Sequence, residues 1–333
     1  MAGLADLADD ERCRILLGEV RTGLSAHSRA LADTEAAALL SLRPGVGVRV
    51  ATRPAAWVVS PDLTLGVHCP MPSRSGARRD GIGTILSRAS LTGGRMVQAT
   101  VHTGVVLGRS GAVDRRQPWA HHLARPGRVE VAGRLRADDL ADGFLAAVPD
   151  GVPGPDLDLG AVCGRLLDQV QESPLLDQRL PFRAPRTRFR FALLPCDHGA
   201  SGAAHVCRVS FVVEEEMVRV LRMSGSVADL VSVVGLCEDL ALHDWLLTTV
   251  QRVVEGSRVR PSGGGRLPHQ LRPVIDHLLH LWMPGARVAD ALLPVWAGVE
   301  QRSGISRQWE NLVGWIRDQL ALSLLADLGR GAG

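Results

Sequence analysis

The chain has 333 residues, room for about two domains of 100–200 residues each, and its 46% apolar and 22% charged content is that of a globular protein, not a fibrous or disordered one. All 38 basic residues are arginine; the absence of lysine and tyrosine excludes a Walker-type phosphate loop, a kinase, a Schiff-base enzyme and a tyrosine nucleophile. The net charge is only +3, with 19 Arg against 15 acids in residues 1–150 and 19 against 20 in the rest, so neither half is the strongly basic module of a generic nucleic-acid binder.

In chain order, residues 15–23 form an apolar strand-like run and 34–42 an Ala/Leu helix. Val46–Val50 and Ala56–Ser60 are β-branched runs separated by Pro54. Residues 81–90 and 95–107 pair as a hairpin through Leu91-Thr92-Gly93-Gly94, where Gly-Gly supplies the positive φ of a tight turn. Residues 128–133 are a further strand. The periodicity predicts helices over 138–148 and 158–171, with a linker at 149–155. Strands follow at 187–194, 206–213 and 217–223, then a long helix over 226–255 with Ser226 as N-cap and Asp229 in the capping-box position. Residues 256–269 read as a linker, and 270–282, 288–301 and 306–327 as three helices.

Short strands that do not alternate with helices disfavour a doubly wound sheet. The expected fold is α+β: a strand-rich N-terminal region with a mostly antiparallel sheet (1–150), a mixed middle (151–256), and a linker with a helical C-terminal bundle (257–333). Those last helices hold Trp282, Trp296, Trp309 and Trp315, more apolar surface than so small a bundle easily hides. Trp309, Leu312, Trp315 and Ile316 are therefore the expected protein-docking residues.

Arg186, Arg188 and Arg190 alternate with Thr187, Phe189 and Phe191. On a strand this puts three guanidinium forks on one face, suited to phosphate or carboxylate, and the phenyl rings on the other. The same row fits a solvated face neutralised by Glu214, Glu215 and Glu216. Asp239 and His243 are helix neighbours at i,i+4 between Glu238 and Asp244, an arrangement that suits a general base or a plain polar helix surface. His269, Asp276 and His280, with His277 near by, share a helical face, but Pro273 interrupts it and no fourth ligand is evident, so no metal is assigned. His68-Cys69 and His121-His122 could supply a Cys/His pair only if the fold joined them. Gly45-Val46-Gly47 and Gly81-Ile82-Gly83 open strands, not the helix that pyrophosphate binding needs. No cofactor is implied.

The six cysteines lie at least eleven positions apart, which removes CxxC redox and zinc motifs. No basic apolar leader and no apolar run of about 18 residues is visible, so the expected location is cytoplasmic, with reduced thiols and no membrane contact. Lys, Tyr, Asn and Phe are scarce together, the mark of a GC-rich genome, so arginine abundance is not itself a phosphate signal.

Leu17-Gly18-Glu19-Val20-Arg21-Thr22-Gly23-Leu24, Pro118-Trp119-Ala120-His121 with Leu123-Ala124-Arg125-Pro126-Gly127, and Leu236-Cys237-Glu238-Asp239 with His243-Asp244-Trp245-Leu246-Leu247-Thr248-Thr249 carry a resemblance over roughly residues 15–325. The chain resembles an uncharacterised family of actinobacterial hypothetical proteins encoded in a cluster with a variant P-loop protein and a methyltransferase-like protein. The resemblance implies no catalytic residue. It implies a component of a multi-protein system whose partners are the other proteins of that cluster. The expectation is a non-enzymatic interaction or assembly component. A phosphate-ligand or nucleic-acid-binding module using the arginine strand, and an enzyme using His243 and Asp239, are the alternatives.

Overall fold

The computed structural model describes residues 14–53, 55–107, 117–133, 135–146, 156–195, 205–215, 217–226, 229–258 and 267–331. Within these, the backbone alone is described at 14, 205–209, 213–215, 226, 257–258, 267–270, 273, 323 and 326–331. The described strands are β1 (Arg14–Leu24), β2 (Arg49–Ala51), β3 (Trp57–Val59), β4 (Leu63–Pro70), β5 (Asp80–Thr92), β6 (Met96–Leu107), β7 (Arg128–Val131), β8 (Thr187–Leu194), β9 (His205–Glu215) and β10 (Val218–Ser226). They form one sheet in the order β2-β3-β5-β7-β6-β1-β8-β10-β9, with β4 also paired to β5. The described pairings are antiparallel except β6–β7 and β8–β10. The fold is α+β.

The β5–β6 hairpin organises the sheet. Gly93 and Gly94 turn at φ 58° and 62°, and Arg95 N–H closes the turn on Thr92 O at 3.0 Å. This is the left-handed geometry that matches strand twist. Away from the turn the hairpin splays, and β7 enters the gap, antiparallel to β5 at Gly81–Gly83 and parallel to β6 at Gly104–Leu107. Gly83 (φ 155°) permits this: a Cβ there would lie 2.0 Å from Arg128 O. β1, the other neighbour of β6, pairs with β8 by Leu16↔Leu193 through Thr22↔Thr187. One sheet therefore runs across position 150.

Strand alternation sends alternate residues into two layers. One face, with Ile15, Leu17, Ile85, Val97, Val101 and Val105, is covered by α1 (Asp33–Leu39), α3 (Ala137–Leu145) and α4 (Leu159–Gln171). The other carries Leu16, Val20, Phe189, Phe191 and Leu221 against α5 (Leu230–Arg258). A short helix, α2 (Trp119–Leu123), lies beside β5. The cap of α5 falls three residues later than expected. Asp229 is its cap, accepting from Val231 N–H at 2.9 Å and Ser232 Oγ–H at 2.6 Å, while Ser226 ends β10. The carboxylate, closer to the helix start, satisfies the first free N–H groups.

α5 is buried on nearly all sides from Val233 to Val250. Its first half packs on the sheet and on α7 (Leu293–Ser303). Its second half packs on α6 (Leu267–His277) and α8 (Ile305–Gly331). The expected single helix over 270–282 divides into α6 and a 3-10 turn, Leu279–Leu281. The 259–266 part of the expected linker and the whole of 149–155 lie outside the described residues.

Candidate functional site

The arginine strand is an internal element. Phe189 and Phe191 enter the core beneath α5, as period two requires, and Arg188 and Arg190 emerge on the other face beside β1. There they meet Glu19, which is fully buried. Arg188 Nε lies 3.2 Å and Arg190 Nε 3.3 Å from its carboxylate, and Arg21 Nε donates to Oε1 at 2.9 Å. Arg190 also stacks over Phe144 at 4.8 Å. Arg186 precedes the strand and pairs with Asp168 at 2.6 Å and with Gln171. The row is thus not three forks presented together to solvent. The side chains of Glu214, Glu215 and Glu216, the expected counter-charges, lie outside the described ones. Gly160 of α4 makes room for the cluster, since a Cβ there would sit 2.7 Å from Glu19 Oε2.

α5 carries a second set of charges into the opposite layer. Arg88 donates fork to fork into Glu238, Nε to Oε1 and Nη2 to Oε2, both at 2.8 Å and both side chains below a tenth exposed. Burial works to raise the Glu238 carboxyl, but Arg88 and a hydrogen bond from Thr100 hold it below its ordinary value. His102 is pushed down to about 4 by burial and by the Arg88 charge. Six residues further along α5, Arg219 Nε donates to Asp244 Oδ1 at 2.8 Å, and burial keeps that carboxyl above its ordinary value despite the guanidinium.

His243 lies between these pairs, 1% exposed. Its Nδ1 donates to Asp239 O at 2.7 Å, and its Nε2 accepts from Met283 N–H at 3.2 Å. Asp239 Oδ2 accepts from Gly285 N–H at 2.9 Å. The rings of Trp282 and Trp296 close the imidazole in at 5.1 and 6.0 Å. A general base needs a nitrogen free to reach a substrate proton. Here Nδ1 is spent on α5's own backbone, and Nε2, with the Asp239 carboxylate, ties α5 to the chain that leads into α7.

The docking residues divide. Trp309 stacks on Trp282 at 4.2 Å and 5°, and Ile316 is 2% exposed; both belong to the core around α5. Leu312 and Trp315 pack partly buried at its margin. Beyond Leu320, which still packs against that core, the described leucines of α8 are exposed: Leu322, Leu324 and Leu325 at 59%, 65% and 65%. Of the histidine face, Asp276 pairs with Arg272, His280 is exposed on the 3-10 turn, and the side chain of His269 lies outside the described ones. His277 Nδ1 lies 3.3 Å from Arg95 Nη2.

The chain matches no family model, no curated protein and no solved structure.

Among the buried thiols, burial pushes Cys163 and Cys237 up, which leaves them unreactive. Cys69 packs partly buried against the first core, and His121 pairs with Glu130 at 2.8 Å. Glu19, Arg88 and Glu130 were not singled out by sequence reasoning. The signal available for the first two is the one acid of β1 and the one base of β5, each within a largely apolar or small strand run. No described helix is long and apolar enough to cross a membrane.

Proposed function

We propose that the chain is a non-enzymatic assembly component of a multi-protein system and that it engages a helical protein partner through the distal turns of α8. The observation that carries this reading is the exposure of Leu322, Leu324 and Leu325 beyond the point where α8 leaves the core. At about 100° per residue Leu322 and Leu325 share a face and Leu324 stands about 100° from Leu325, so the three cover roughly half of the helix circumference. An apolar stripe on one side of a helix is normally the side that another element covers. Such a stripe suits a seat in an apolar groove between helices of a partner. The engagement of His243 and of the Arg88, Arg188, Arg190 and Arg219 guanidiniums with groups of the chain itself supports the non-enzymatic part of the reading.

The test is co-expression with the variant P-loop protein and the methyltransferase-like protein that the resemblance associates with it, followed by size-exclusion chromatography with light scattering. Joint elution at fixed stoichiometry is expected, lost in Leu322→Glu/Leu325→Glu while far-UV circular dichroism and melting stay unchanged. A chain that elutes alone in every pairing overturns the reading. So does a wild-type homodimer that the same double variant dissociates, because the leucines then serve self-association.

A further inference from the structure

We propose that His121, His122 and Glu130 bind one divalent transition-metal ion of the zinc class, a site apart from the α8 end. The three residues come from α2 and β7, joined by a turn at Gly127 (φ 76°). The sheet anchors that turn through its backbone: Gly104 N–H donates to Gly127 O at 2.8 Å and Gly127 N–H to Thr84 Oγ1 at 2.9 Å. β7 itself is wedged between β5 and β6. The support beneath the side chains is therefore a strand junction.

A ligand atom from each of the three residues lies within 4.8 Å of the other two. His121 Nε2 and Glu130 Oε1 are already 2.8 Å apart. Around a tetrahedral ion with bonds of about 2.0–2.1 Å, ligand atoms sit roughly 3.3 Å apart, so side-chain rotation of about an ångström closes the set. Two imidazoles and one carboxylate select zinc-like ions over calcium or magnesium, which take oxygen ligands. Three protein ligands also leave a fourth position for water.

His122 gives the independent observation. It is 2% exposed, and its Nε2 is buried without a hydrogen-bond partner. An ion pair of His121 with Glu130 and Arg125 accounts for those three residues without a metal, but leaves the His122 nitrogen unexplained. Trp119 packs edge-on against the His122 ring at 5.7 Å and shields one side. Arg125 opposes a cation: its Nη1 lies 3.2 Å from His121 Nε2 and 3.6 Å from Glu130 Oε1. Its side chain is 38% exposed and free to swing into solvent as a metal enters.

The experiment is titration of chelator-treated, tag-free full-length protein with Co²⁺, read by visible absorption, then competition with Zn²⁺. One equivalent of Co²⁺ with ligand-field bands, displaced by Zn²⁺, is expected. Glu130→Gln and His121→Ala, both at partly exposed positions, each weaken binding roughly tenfold or more. Arg125→Ala strengthens it several-fold, the opposite sign to a charge that merely holds the fold. Absence of saturable Co²⁺ absorption, or binding unchanged in His121→Ala/Glu130→Gln, overturns the site. His122→Ala risks the fold and is read only beside a matching circular dichroism spectrum.

Discussion

Glu238 and Arg88 meet 150 positions apart in sequence, with the carboxylate and guanidinium matched fork to fork and nearly sealed from water. Breaking such a pair from one side is worse than removing it, because the surviving charge keeps its desolvation cost and loses its partner. Glu238→Gln is expected to lower stability by about 3–5 kcal/mol, and Arg88→Met/Glu238→Leu to recover most of that, both read from urea unfolding. An equal loss in single and double variants would mean that packing, not charge, is what the site supplies. His102, beside the pair, titrates at about 4 in the folded chain against an ordinary 6.5. Between those values the unfolded imidazole binds a proton that the folded one refuses. Stability is therefore intact above the unfolded value and falls as pH drops toward 4, by up to about 1.4 kcal/mol per unit. In His102→Gln this part of the acid sensitivity should vanish, measured as a smaller change in urea midpoint between about pH 7 and about pH 5. At this scale the sequence was half legible. Alternation correctly separates Arg188 and Arg190 from Phe189 and Phe191. That Glu19, 169 positions before Arg188, would receive those charges depends on the β1–β8 pairing, which no local pattern encodes.

Among elements, β7 is held in place by what Gly83 lacks. A Cβ at Gly83 would meet Arg128 O at 2.0 Å, a backbone atom that moves only if β7 moves, and the φ of 155° is one that other residues seldom adopt. Gly83→Ala is expected to destabilise by more than about 1 kcal/mol in thermal or urea unfolding. Gly235, inside α5, is the opposite case. A Cβ there meets nothing within 4 Å, so Gly235→Ala should stabilise by about 0.5–1 kcal/mol through helix propensity. Finding the same sign for both would refute the argument from close approach. The β5–β6 hairpin was legible because Gly-Gly between β-branched runs has few other uses. β4 was not: Leu63–Pro70 holds Gly66, His68 and Pro70, and its outer residues are half exposed, so it borrows its order from β5. α2 escaped notice for a related reason, since five residues are too few to show a helical period.

Over the whole molecule, the helices after residue 266 complete a layer that α5 cannot finish by itself. Trp245, Leu246 and Val250 are each exposed by less than 1%, and their neighbours include Leu271, Val274, Leu278, Ile305 and Trp309. The turn of the β5–β6 hairpin is held from the same side. Arg287 donates to Thr92 Oγ1 at 3.2 Å and lies over Trp57, and Leu281 sits where a Cβ on Gly93 would fall. Composition suggested a small aromatic bundle short of core. What it could not supply was the identity of the cover, because α5 is buried on nearly all sides from Val233 to Val250 and its sequence does not say which side meets the sheet and which meets α6 and α8. A shared core couples both partners in unfolding. Thermal melting followed by tryptophan fluorescence, weighted toward Trp245, Trp282 and Trp309, should therefore coincide with melting followed by far-UV circular dichroism of the sheet and helices together. A fluorescence transition several degrees below the other would show that α6–α8 detach first and form a separate cooperative unit. Ending the chain at residue 258 extends the same logic. It bares the second half of α5, so the shortened protein should aggregate or bind a hydrophobic dye where the full chain does not. A soluble, monomeric fragment with the melting point of the full chain would rule out that dependence.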